Sequence, residues 1–237
     1  MYNGYGYYFD PTYLLVLVGA VICLAASAHV NSVMNKFGQI RNMRGITGSE
    51  CARRILDSEG LYNVQIECLQ GDNGDHYDPR TNTVRLSQSN YSYASLTAVS
   101  VAAHECGHAI QHARGYAPLS LRTAMVPVVN VASYVGWPLI ILGVILSWNQ
   151  TLIHIGIWVF ALTVLFQLVT LPVEFNASSR ALAKLDQFGL VSSSESQDSR
   201  KILTAAAMTY VAAAASTILQ LLRLIMLFGG VGRRRSD

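Results

Sequence analysis

Charge is what this sequence has least of. Asp, Glu, Lys and Arg make up 13% of the 237 residues, beside 51% apolar residues, whereas a soluble domain carries about 25% charge. That composition excludes a disordered chain, which needs much charge and little apolar surface. A net charge of only +3, not gathered into an aromatic-rich basic patch, argues against a nucleic-acid partner. Cysteine is also scarce. Cys23, Cys51, Cys68 and Cys106 lie far apart, so neither a disulfide framework nor a CxxC metal site is available. Repeats and low-complexity tracts are absent, and the serine-rich stretch Ser192–Ser199 reads as a loop.

The missing charge leaves long apolar runs. Before Lys36 the only charge is Asp10, and Tyr13–Ala28 holds no strongly polar side chain except Ser27. Extended to Met34, this run is long enough to cross a hydrocarbon layer of about 30 Å. It lacks the cationic start of a secretory signal peptide, so it reads as a retained anchor. Thr123–Val173 contains no Asp, Glu, Lys or Arg and divides at the polar turn Ser147–Thr151. Two spans joined by a tight turn fit it, with Trp137, Trp148 and Trp158 as interfacial aromatics. Leu203–Gly230, with Arg223 near its end, is a fourth candidate, either a full span or a helix packed between the others. Lys36, Arg41, Arg44, Arg53 and Arg54 follow the first run directly, which places the N-terminus outside and residues 36–122 on the cytoplasmic side. Arg233–Arg235 would then end outside if the last helix crosses, against that rule. The chain thus divides into a tail and anchor (1–35), a cytoplasmic subdomain (36–122), a transmembrane hairpin (123–172), a second cytoplasmic segment (173–202) and an apolar helix with a basic tail (203–237).

Within 36–122, Thr47-Gly-Ser-Glu50 has the form of a capping box opening a helix that stops near Gly60. Val64–Leu69 alternates as a strand does, Thr83–Ser87 is a second short strand, and Gly71–Arg80 between them is rich in turn formers. Ser95–Arg114 reads as one long helix ending at Gly115.

That helix contains His104-Glu105-Cys106-Gly107-His108. Histidines four apart lie on one helical face, one turn apart, so both imidazoles reach a single metal ion. Glu105 is rotated about 100° from His104, off the ligand line but near a water held by the metal. It is suited to take that water's proton and pass it to a leaving amine. With six His and six Glu in the chain, the pattern is expected by chance only about 0.004 times. His112 looks like a further ligand, yet on an unbroken helix it stands about 12 Å along the axis from His104. It is expected to neighbour the site or to sit at the helix end. The third ligand must come from elsewhere. Glu174, in Leu-Pro-Val-Glu174-Phe-Asn-Ala-Ser178 where a helix would start after Pro172, is the leading candidate, because a carboxylate among apolar residues needs a partner. Asp75, His76 and Asp78 compete for that role, although turn chemistry accounts for them.

The segments VAAHECGHAIQH, DHYDPRTNTVRLS and LPVEFNASSRA closely resemble the YugP-type putative neutral zinc metallopeptidases of bacterial membranes, over about Gly45–Phe228. The resemblance implies one Zn2+ per chain, His104 and His108 as ligands, Glu105 as the catalytic residue, and a multi-pass location in the bacterial plasma membrane. More distantly the chain is similar to HtpX and the CAAX-processing zinc peptidases, whose third ligand is a glutamate in E-[FY]-x-A-D. Here Ser178 replaces the aspartate that orients a ligand histidine in those families, leaving Asn176 or Ser178 to take its place.

The expected fold is predominantly α and integral to the membrane: three to four transmembrane helices with a small α+β, zincin-like cytoplasmic subdomain carrying the histidine helix. The expected activity is zinc-dependent endopeptidase cleavage of a peptide or membrane-protein substrate in contact with the lipid bilayer, with the substrate added as a strand against Thr83–Ser87. His76, Tyr77 and Arg180 are candidates to stabilise the oxyanion. The alternative is a zinc-binding membrane scaffold or regulator without turnover. Glu105 speaks against it, since a structural zinc site needs no base. A transporter would require paired intramembrane charges, which the apolar runs do not offer.

Overall fold

The computed structural model describes residues 10–70 and 74–228. The N-terminal tail before Asp10 and the basic run Arg233–Arg235 lie outside them. In order, the elements are α1 (Tyr13–Gly38), α2 (Gly48–Ser58), β1 (Gln65–Leu69), β2 (His76–Asp78), β3 (Thr83–Ser87), α3 (Gln88–Ser92), α4 (Leu96–Ala113), α5 (Ala117–Ile145), α6 (Gln150–Gln187) and α7 (Ser193–Phe228). Four of them, α1, α5, α6 and α7, are long and apolar enough to cross a membrane.

Those four form a row: α5 packs on α6, α6 on α7, and α7 on α1. Small residues bring the first pair together. A Cβ on Gly143 would stand 2.7 Å from Ile153, and one on Gly156 would stand 2.6 Å from Ile140, the close approach that small residues allow between apolar helices. The turn between α5 and α6 falls at residues 146–149, with Asn149 capping α6 through Leu152 N. At the far end, Arg223 of α7 reaches Asp10 at the start of α1 (3.4 Å) and lies over the Tyr13 ring. So α7 runs alongside α1 over its length.

The smaller unit covers one end of α6 and α7. The capping box that opens α2 is formed, Thr47 accepting from Glu50 N while Glu50 accepts from Thr47 N. The three strands lie in the order β1-β3-β2, with β1 parallel and β2 antiparallel to β3. This overturns the expectation that substrate adds to Thr83–Ser87. β3 is the central strand, both of its edges are taken, and β2 comes from within the stretch read as turns. The core beneath the sheet joins Ile55 and Leu56 of α2, Val84 and Leu86 of β3, and Val99, Ala103 and Ile110 of α4 to Leu185 and Ile202 of α6 and α7.

Two other expectations are corrected. No helix starts after Pro172; α6 runs through it. The N–H that proline lacks leaves one carbonyl of the helix without its donor, a defect that long apolar helices tolerate when packed. Ser192–Ser199 is not a loop either. Ser192 N donates to the Glu195 carboxylate and Glu195 N to Ser192 Oγ, so a second capping box starts α7 ten residues before Leu203.

Candidate metal centre

α4 is held against α6 at Gly107. A Cβ there would fall 2.5 Å from the Ala177 carbonyl oxygen, so only glycine lets the helices approach this closely. The approach sets His104 and His108, one turn apart on α4, opposite Glu174, which lies one turn before Ala177 and Ser178 on α6. His104 Nε2 is 3.2 Å and His108 Nε2 3.5 Å from Glu174 Oε2. The three ligand atoms all lie within 4.8 Å of one another, and among the described residues they are the one cluster of this kind. Ligands about 2.1 Å from a tetrahedral zinc ion are separated by about 3.4 Å. Two imidazoles and a carboxylate at this spacing fit such an ion and leave a fourth position open.

Each imidazole is held from behind by its other nitrogen, His104 by a residue of α6 and His108 by a residue of α4 that α6 in turn holds. With Nε2 facing the ligand position, His104 donates from Nδ1 to Ser178 Oγ (3.1 Å). His108 donates from Nδ1 to Gln111 Oε1 (3.0 Å). Gln111 is fully buried, and its amide donates in turn to the Val173 carbonyl (2.8 Å) and to Asn176 Oδ1 (3.0 Å). Such bonds fix the tautomer and aim the ring. Burial favours the neutral form of His108, but Glu174 and Glu105 outweigh it and hold its pKa above the usual histidine range.

Glu174 is itself almost wholly buried. Glu105, also buried, makes no hydrogen bond among the described residues. It lines a cavity of about 290 Å³ with His104, His108 and Glu174. The cavity is walled by His76 and Tyr77 of β2, by Leu119, Arg122 and Val126 of α5, and by Tyr210 of α7. It therefore lies between the strand unit and the apolar helices.

The remaining candidate residues take other places. His112, at the end of α4, meets the Tyr77 hydroxyl (2.8 Å), which gives its proton to Asn82 Oδ1 (2.7 Å). Burial pushes the Tyr77 pKa up to about 12, so this phenol stays neutral and committed to its neighbours. Arg180 donates to Asn176 (2.8 Å), which fixes the residue that holds Gln111. The Tyr77 proton is thus taken by Asn82, and Arg180 is not among the residues that line the cavity. Asp75 accepts from Ser87 N and Asn90 Nδ2, and Asp78 pairs with Arg85, so neither joins the histidines. His76 stays exposed beside the cavity.

Three residues at the site were not singled out in the sequence. Gln111 could have been, because it lies three positions after His108 on the same helix. Arg122 and Tyr210 carry no such signal, since only the packing of α5 and α7 around α6 brings them to the cavity.

The family described as "Putative neutral zinc metallopeptidase" matches residues 12–229 of the chain. The "Putative membrane protease YugP" of Bacillus subtilis (strain 168) is 48% identical over 203 residues, covering 86% of this chain and 90% of that protein. No solved structure matches.

Proposed function

Because the chain belongs to the "putative neutral zinc metallopeptidase" family, we propose that it is a membrane-embedded endopeptidase with zinc held by His104, His108 and Glu174. The observation that carries the reading is the convergence of these three donors from two helices, with an unpartnered carboxylate, Glu105, beside them in one cavity. When bound, the ion would supply Lewis acidity, lowering the pKa of a water and polarising a peptide carbonyl. Glu105 takes the proton as the water oxygen attacks the carbonyl carbon. It then delivers that proton to the amine nitrogen as the C–N bond breaks. Ser178 and Gln111 hold the two imidazoles in the tautomer that leaves each Nε2 lone pair free. The substrate strand pairs along the outer edge of β2, whose His76 and Tyr77 border the cavity, rather than along β3.

The position of the cavity beside α5 and α7 supports a substrate cleaved close to a bilayer surface. The basic residues after α1 and around Arg180–Lys201 favour the cytoplasmic face of the bacterial plasma membrane. Cysteine labelling at Ser89 and Ser194 is expected to find both positions on that side; opposite sides would separate the two halves of the site and end the model of catalysis.

The test of the activity is Glu105→Gln, which keeps volume and polarity and removes only the base. Zinc content and thermal unfolding in detergent should stay near wild type while peptide cleavage falls about 10²–10⁴-fold. Unchanged cleavage removes Glu105 as the base. Activity that falls only in proportion to zinc makes its role structural.

A further inference from the structure

Arg122 stands in the cavity with its hydrogen bonds unmade. It is the last charged residue before the uncharged run Thr123–Val173, and it projects from α5 into the cavity beside Tyr210 and the candidate ligands. Its guanidinium makes no hydrogen bond among the described residues, and its Nε is buried without a partner. The closest approach to an acid is 3.9 Å, to Glu174 Oε1, beyond hydrogen-bond distance. A guanidinium keeps its proton and carries five N–H donors, so leaving it half-buried without hydrogen bonds is costly unless something else fills them.

Its placement says what would fill them. Glu174 turns Oε2 to the two imidazoles and Oε1 to Arg122. The guanidinium thus flanks the ligand carboxylate, at the wall of the cavity where a substrate carbonyl must enter. Of the other donors near the site, the Tyr77 hydroxyl is committed to Asn82, and Arg180 does not line the cavity. His76 and Arg80 are exposed residues at its β2 side.

Resting on the peptidase reading above, we propose that Arg122 is a catalytic residue that binds the carbonyl oxygen of the scissile peptide bond and stabilises the negative charge developing there. As the water oxygen bonds to the carbonyl carbon, the π electron pair moves onto the carbonyl oxygen and is met by the guanidinium N–H groups. When that pair returns, the C–N bond breaks and the nitrogen leaves with the proton that Glu105 delivers. Arg122 stays protonated throughout and donates only hydrogen bonds. Preorganised donors of this kind act on charge that exists only in the transition state.

The experiment compares wild type, Arg122→Gln and Arg122→Lys as full-length, zinc-loaded protein in detergent. Each is assayed with a mixture of internally quenched peptides, for zinc content, and for binding of a phosphinic peptide whose anionic oxygens mimic the tetrahedral state. In Arg122→Gln, kcat should fall about 10²–10³-fold with KM nearly unchanged. Zinc should stay at the wild-type level, and phosphinic-peptide affinity should fall by a similar factor. Arg122→Lys should recover part of both losses, because it restores the charge without the fork of donors. Wild-type kcat in Arg122→Gln overturns the assignment alone, as does a loss of zinc that accounts for the loss of rate, which would make Arg122 a support for Glu174. Zinc-loaded wild-type protein that cleaves no peptide overturns the peptidase reading itself, and this assignment with it.

Discussion

The two helices that build the site are buried in different ways. Fourteen of the eighteen residues of α4 are buried, on all sides of the helix, beneath the sheet and against α2, α6 and α7. α6 is twice as long and buries eleven of 38 residues along one stripe, Ile153, Gly156, Phe160, Val164, Thr170, Val173, Glu174, Ala177, Ser178, Ala181 and Leu185. Leu165, Leu168 and Phe175 on its other faces stay exposed. The histidines thus stand on a helix locked in a core, and the carboxylate on the inner stripe of a helix whose outer faces suit lipid. A site shared this way depends on the seam between the helices more than on either one. It also puts the chemistry at the boundary between the two environments.

The seam is most easily broken at Gly107. Valine there would drive its Cβ into the Ala177 carbonyl, and overpacking of this kind costs about 1–3 kcal/mol or more. Gly107→Val is expected to lower the melting temperature in detergent and to lose most of the bound zinc. Phe175→Ala, one residue from Glu174 but on the exposed face, should leave zinc content unchanged. Equal effects of the two changes would contradict the asymmetry.

A smaller effect is expected from the supports behind the imidazoles, one on each helix. Ser178→Ala and Gln111→Leu should each weaken zinc binding about 10–100-fold, measured by competition with a chelator. Gln111→Leu should be the more damaging to the fold, because it removes the buried amide's hydrogen bonds to the Val173 carbonyl and Asn176 Oδ1. Wild-type affinity in both variants would show that packing alone aims the rings.

The smallest effect lies at the rim, where Glu59 after α2 joins Lys184 of α6 (2.6 Å) and Arg114 at the end of α4 (3.1 Å). The Lys184 ammonium, with Arg114, holds the Glu59 pKa below the usual range. A depressed carboxyl pKa adds stability above its unfolded value, about 4.3, and that stability is lost as pH falls through the folded value. Glu59→Gln should therefore cost about 1 kcal/mol or less at neutral pH, a difference that shrinks in titrations below pH ~4. A difference that grows on acidification would reverse the sign of this pair.

What could be read from the sequence follows the same division. Local signals were enough for α4: the histidine spacing, the absence of a glycine break before His112, and Gly115 past the end. The Thr47 capping box and the limits of β3 are equally local. The identical signal at Ser192-Ser-Ser-Glu195 was obscured because three serines in a row look like loop composition. Pro172 looked like a boundary because proline breaks isolated helices, and only packing against α4 and α7 keeps α6 continuous. β2, three residues long, has no periodicity to detect. The central place of β3 is topology, which alternation does not encode. Arg122 and Tyr210 reach the cavity only because α5 and α7 flank α6.

The claim that a metal site bridges α4 and α6 is tested most directly by zinc analysis of three purified proteins: wild type, Glu174→Ala and His112→Ala. The account predicts one zinc per chain in wild type, one in His112→Ala, and loss of most zinc in Glu174→Ala. His112 is bonded to Tyr77 and stands apart from the converging atoms. Full zinc retention in Glu174→Ala together with loss in His112→Ala would contradict the account and move the third ligand from α6 to α4.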